Sequence, residues 1–328
     1  MKRSFYLFLL ALALIIASSV VLSVGNILQP LGQPREVFID ADDTPDSVAG
    51  KMNAPWMLRK LLHSTKYKLH TGFYSFDGTE SSLQAFRLLK GGHQMPIRLT
   101  IPRVRTIGQL SAYLGKRLMM DSTAVANILE NPSTYKNCSK NKETIISLFL
   151  PDTYECYWNI SPESLLKKMK REYDAYWTDE RSGKAKKLGL TPEQVTTLAS
   201  IVDEETNFGP EKPKVAGLYL NRLRKGMLLQ ADPTVKFAIG DFSIKRILHQ
   251  HLTYESSYNT YLHKGLPPGP ICLPTKEGID AVLNAEHHPY LYMCAKEDFS
   301  GAHNFAANYD EHLANARRYT KELNRRGF

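Results

Sequence analysis

The feature that most constrains this chain is an uncharged run bracketed by Lys2 and Arg3 on one side and Arg35 on the other. Within it, Phe5 to Leu28 is predominantly apolar. About twenty apolar residues cross a bilayer as a helix, whereas the core of a signal peptide is usually about 7–15. Ala17-Ser18-Ser19 offers small residues for cleavage, so a cleaved signal is the competing reading. The apolar run continues past that point, and no lipobox cysteine is present. The expectation is an uncleaved single-pass anchor over residues 1–28, with its basic end in the cytoplasm and everything after it outside. The remaining sequence shows no second span.

At 328 residues the chain is long enough for two or three domains. Its 43% apolar and 23% charged content excludes a collagen-like, disordered or low-complexity chain. Lys and Arg number 42 against 33 Asp and Glu, a net charge of +9. Such a balance suits nucleic acid, an anionic membrane surface or an acidic polymer. The densest basic patch, Lys184 to Lys187, has no interleaved aromatics, which argues against nucleic acid as a partner. Cys138, Cys156, Cys272 and Cys294 have neither C-x-x-C spacing nor histidines at zinc-ligand spacing, so no metal is expected. Outside the membrane they either pair as disulfides or remain partly buried thiols.

The sequence pattern predicts an α+β fold. After a Pro/Gly-rich entry, residues 29–105 read as a strand at Glu36 to Ile39, a helix near Val48 to His63 and a strand at Gly72 to Phe76. A helix near Ser81 to Leu89, stopped by Gly91-Gly92, and a strand at Ile97 to Ile101 complete it. This β-α-α-β alternation has the size of a small carbohydrate-binding or adaptor module. Residues 106–190 read as a connecting helical region, with helices at Ile107 to Met119 and Pro162 to Trp177 and a basic linker at Arg181 to Lys187. Residues 191–328 are denser in helical periodicity and are expected to form a mixed α/β catalytic domain.

That last region opens with Thr191-Pro192-Glu193-Gln194, an N-cap, a proline at the first helical position and a glutamine at the third. Val195, Leu198 and Val202 then form a core-facing stripe. At about 100° per residue, Glu205 falls within about 20° of Leu198, while Asp203 and Glu204 diverge by about 140° and 120°, toward solvent or a flank. One carboxyl group of three is therefore expected on the apolar side. Burial there raises a carboxyl pKa and keeps it protonated near neutral pH, as a general acid requires. The competing reading is a last-turn glutamate that swings outward or pairs with Arg222 or Arg224. Downstream, Gln230 to Thr234, Tyr258 to Tyr261, Gly265 to Pro270 and Gly301 to Phe305 bring amides, hydroxyls and aromatic rings on turns. Together they are what a sugar-binding cleft requires, although Tyr258 also suits a core and Asn259 a turn.

Ala199 to Thr206, Asn221-Arg222-Leu223, Gln230 to Thr234, Tyr258 to Tyr261 and Leu266-Pro267-Pro268, with Pro151 to Tyr154 and His303 to Phe305, resemble one family. It is the endolytic murein transglycosylases, or YceG-like proteins, and the likeness runs from the first strand to Tyr319. The resemblance implies a single-pass inner-membrane enzyme, catalytic domain in the periplasm, that cuts peptidoglycan strands internally and ends nascent-strand elongation. The bond cut lies between N-acetylmuramic acid and N-acetylglucosamine and leaves 1,6-anhydromuramic ends. No cofactor is implied, and the partners are glycan strands, the inner membrane and peptidoglycan synthases. The catalytic acid falls on Glu205, the second glutamate of the family's V-E-K-E-T, with Asp203 at the first. Gln230, Asp232, Tyr258, Asn259, His303 and Asn221 are implied on the substrate side, Asp232 serving a fold-fixing turn equally well. The first module looks LysM-like. It departs where the family often reads I-P-E-G, for here Ile101-Pro102-Arg103-Val104 stands. A muramidase-type hydrolase and a non-catalytic glycan-binding scaffold are the competing functions.

Overall fold

The computed structural model describes residues 2–64 and 69–326, with side chains from Phe5 onward. The side chains of Lys2 and Arg3, on which the expected orientation rests, lie outside the described residues. Helix α1, Lys2–Leu28, has the expected length, and Phe5–Leu28 is apolar and long enough to cross a membrane. None of its most apolar stretch is buried against protein. Ser18 satisfies its hydroxyl within the helix by donating to the carbonyl of Leu14 at 2.9 Å.

The described residues fall into two compact units, with α1 in the first. The first comprises residues 1–99, 117–120 and 154–160. Strand β1 (Arg35–Ile39) is followed by α2 (Pro45–Lys51), α3 (Trp56–Ser64) and β2 (Gly72–Phe76), and β1 and β2 pair antiparallel with Val37 opposite Tyr74. Alternation puts Val37, Ile39, Tyr74 and Phe76 on one face, where Val48, Leu58, Leu62 and Leu89 close the core. The single helix expected near Val48 to His63 is two. Asn53 adopts φ +45° and Pro55 supplies no amide donor, so the chain turns between them. Helix α4 (Ser82–Gly91) is closed by Ser81 and Gln84 at its start and by left-handed Gly92 at its end. Strand β3 (Pro96–Thr100) pairs with β4 (Thr153–Tyr157).

The second unit holds residues 100–116, 121–153 and 161–328. Helices α5 (Ile107–Arg117), α6 (Ser122–Leu129), α7 (Pro132–Asn137) and α8 (Pro162–Tyr176) come first. The segment expected as a basic linker is helix α9 (Asp179–Lys187). Thr178 caps it, and acidic Asp179 and Glu180 at its start face basic Lys184, Lys186 and Lys187 at its end, the order the helix dipole favours. Then come α10 (Pro192–Glu205), α11 (Lys212–Arg224), α12 (Asp232–Ile239), α13 (His249–Leu252), α14 (Lys276–Leu283), the antiparallel pair β5 (Tyr292–Ala295) and β6 (His303–Ala306), and α15 (Tyr309–Arg325). Thr191 and Gln194 form the expected capping box of α10.

Helix α10 packs against α11, α12 and α14. Every residue from Val195 to Asp203 is buried, well beyond a single stripe. A helix enclosed on several sides exposes little but its ends, so its C-terminal residue is where the core meets solvent. All four cysteines are free thiols.

Candidate active site

Glu205 is the last residue of α10, and Thr206 leaves the helix in an extended conformation. From α11, the buried Tyr219 hydroxyl donates to Glu205 Oε1 at 2.7 Å. One turn on, Arg222 is fixed by carbonyls: Nε donates to Leu291 O at 2.6 Å and Nη1 to Leu229 O at 2.8 Å and Leu228 O at 3.2 Å. It also reaches Gln230 Oε1 at 3.3 Å. Gln230 sits at φ +51°, strain that the backbone bond from its amide to Thr260 O helps hold. Asp232, at the first turn of α12, accepts from the Tyr261 hydroxyl at 2.6 Å. His303, at the start of β6, is clasped by Glu211, whose two oxygens take its backbone amide at 2.9 Å and its Nδ1 at 2.7 Å. That grip leaves Nε2 as the ring nitrogen available for a ligand.

These groups line one open cavity of about 240 Å³, with Glu205, Gln230, Asp232, Tyr261 and His303 at its wall. Burial raises the Glu205 pKa from 4.5 to about 7, and the negative charge of Asp232 adds to the rise. The Tyr219 hydrogen bond and the charges of His303 and Arg222 oppose it. The result is a carboxyl group that titrates near neutrality, protonated below about pH 7, and holds one oxygen free of Tyr219. The Tyr219 hydroxyl is pushed well above its usual pKa by burial and by Glu205, so it stays a donor.

Of the residues expected in a cleft, Gln230, Asp232 and His303 are brought together with Glu205. Asn221, Tyr258 and Asn259 are not. The Asn221 amide donates to His288 O at 2.7 Å and Tyr290 O at 3.1 Å, tying down the segment before β5. Asn259 is fully buried, donates to Leu252 O and Tyr254 O, and accepts from the Tyr261 amide, so it aims Tyr261 rather than a ligand. Tyr258 packs on Phe237 at 4.7 Å between ring centres and lines a separate hollow with Arg105 and Pro270.

Of the two directions expected for Asp203, solvent or a helix flank, the structure shows a buried flank. Its side chain is fully buried and pairs with Lys212 at 2.8 Å, and it accepts from the Thr275 amide at 2.6 Å and the Thr275 hydroxyl at 2.9 Å. Angular spacing located it off the Leu198 stripe correctly, but α14 covers that flank too. Gly278 of α14 approaches so closely that a Cβ there would lie 2.5 Å from Asp203 Oδ1. Glu204 is half-buried and pairs with Arg103 at 3.0 Å and Arg105 at 2.7 Å.

Sequence reasoning missed Tyr219 and Glu211. Tyr219 lies in the apolar run Leu218 to Leu220 and reads as core, while Glu211 follows Gly209-Pro210 and reads as a turn. Neither carried a local signal. Arg222, named with Arg224 as an alternative ion-pair partner for Glu205, has its guanidinium spent on carbonyls instead.

An α+β protein with an apolar N-terminal helix and a desolvated acid at the end of a core helix defines a class. The chain belongs to the YceG-like family, whose pattern matches residues 37–318. It is 29% identical over 279 residues to an endolytic murein transglycosylase of Bacillus subtilis, covering 79% of this chain and 76% of that one. It is 26% identical over 286 residues to the endolytic murein transglycosylase of Streptococcus pneumoniae strain D39, covering 76% of this chain and 51%, about half, of that protein. The fold resembles a crystal structure of a YceG-like protein from Listeria monocytogenes with a TM-score of 0.57 at 24% identity, covering 86% and 98% of the two chains.

Proposed function

We propose that this protein is a membrane-anchored lytic transglycosylase that cuts peptidoglycan strands internally between N-acetylmuramic acid and N-acetylglucosamine. The observation that carries the reading is the Glu205 carboxyl, raised to about 7 by burial and held at one oxygen by Tyr219. Protonated Glu205 gives its proton to the glycosidic oxygen as the bond to the muramic C1 breaks, and oxocarbenium character develops at that carbon. The carboxylate then takes the proton of the sugar's own 6-hydroxyl, which closes on C1 to form the 1,6-anhydro ring. No water is consumed. One acid serves both steps because its pKa lies near neutrality. Gln230 and His303 offer an amide and an imidazole to position the saccharide, which is where much of the rate of such a reaction originates.

A hydrolase that spends water is the second reading, favoured by Asp232 lining the same cavity, since hydrolytic glycosidases pair two carboxyl groups. Mass spectrometry of strands digested by the full chain separates the two: 1,6-anhydro ends support the transglycosylase, reducing muramic ends the hydrolase. With the reaction goes a placement, the catalytic unit in the periplasm beside the synthases that extend strands, for which the apolar α1 is the support. A reporter fused to the C-terminus, active only outside the cytoplasm, is the expected result. The β1-α2-α3-β2 order also supports a LysM-like, glycan-holding role for that module.

A further inference from the structure

Beside the catalytic cavity lies a second hollow of about 320 Å³ that shares Glu205 and Asp232 with it. Its wall also carries Lys236, one turn beyond Asp232 on α12, and Lys245 and Arg246 from the segment that follows, with Ile244 and Ile247 flanking that pair. Among the described residues none of these three cations has an ion-pair or side-chain hydrogen-bond partner. That sets them apart from Arg103, Arg105, Lys140 and Lys212 of the same unit, each spent on a carboxylate. Glu204, which also borders the hollow, is already neutralised by its two arginines. The groove is thus acidic only at its catalytic end and carries three unspent positive charges, set among aliphatic walls, along the rest.

Resting on the proposed reaction, we infer that this groove holds the carboxylate-bearing peptide carried on the lactyl group of the muramic residue at the cut. A peptide of small aliphatic residues with free carboxylates matches ammonium and guanidinium groups flanked by isoleucines, while the glycan, its lactyl carboxyl taken up in the amide bond to the peptide, offers these cations no charge. The peptide leaves the same sugar whose C1 reacts, so a groove sharing Glu205 is the one it can reach. The enzyme therefore prefers peptide-bearing strands to bare ones. Three exposed charge pairs of the ordinary strength amount to a preference of about tenfold in affinity.

The test uses the full chain in detergent with Glu205→Gln, which holds strands without turning them over, and fluorescent glycan strands either bearing their peptides or stripped of them by an amidase with the freed lactyl carboxyls then converted to simple amides. Peptide-bearing strands should bind about tenfold tighter at low salt, and the margin should shrink as salt rises. Adding Lys236→Gln, Lys245→Gln and Arg246→Gln should bring the two affinities together. Equal binding by the parent, or a preference that survives the three substitutions, overturns the inference. So does loss of the preference to inorganic pyrophosphate at the strand concentration, which would make phosphate the ligand. Cleavage by the unsubstituted chain is scored separately. Preferential binding without cleavage sinks the reaction and keeps the groove; equal cleavage and binding of both strands does the reverse.

Discussion

Replacing Glu205 by Gln tests the site through two independent readouts. Gln keeps the shape and still accepts from the Tyr219 hydroxyl, yet it delivers no proton. Strand cleavage should fall by about 10²–10⁴-fold, the usual loss for a positioned acid. Stability should move the other way. A carboxyl whose folded pKa is raised contributes its full stability below the unfolded value of 4.5 and loses it as pH rises through about 7. At ~1.4 kcal/mol for each tenfold change in acidity, that rise corresponds to about 3 kcal/mol lost to the wild type by pH 8, an upper figure because cleft water solvates part of the group. Gln carries no such cost. For a unit of this size the difference amounts to about 6–12 °C in melting temperature. Melting curves of both proteins from pH 5 to pH 8 should therefore diverge, Glu205→Gln becoming the more stable as pH rises. A gap that stays constant across that range refutes the raised pKa, and cleavage at near the wild-type rate refutes the mechanism.

Four further outcomes follow from the same geometry. Asp203→Asn removes the buried partner of Lys212 and leaves it only the more exposed Glu277 at 3.4 Å, so it should cost about 2–3 kcal/mol, measured by denaturant unfolding, with activity per folded molecule largely kept. Gly278→Ala forces a methyl against Asp203 and should cost about 1–3 kcal/mol by the same measurement, although alanine is the better helix former. The cleavage rate of the wild type should fall as pH rises through about 7, because the acid form of Glu205 is lost. Tyr219→Phe removes a bond that favours the ionised carboxyl and should move that fall to higher pH.

What could be read from the sequence was whatever depends on residues close together in the chain. Helix α10 was legible at both ends because its cap, its proline and its stripe are local, and with it the direction in which Glu205 points. The β1-β2 module was legible because strand alternation and glycine stops are local too. The burial of Asp203 was not, for it depends on α14 closing over a flank and on Lys212 arriving from α11, some seventy and nine positions away. The cleft failed for the same reason in reverse. Asn221 and Asn259 have the right chemistry for sugar, but both are consumed by carbonyls of loops that only tertiary contact brings near. Buried amides must be satisfied, and the chain satisfies them before any ligand can. The residues left with unspent donors or acceptors, namely Gln230, Asp232 and the Nε2 of His303, are those whose local backbone is itself pinned by a neighbour. Hydrogen-bond accounting therefore separates the motif residues that hold the cavity's wall together from those whose polar groups face its interior.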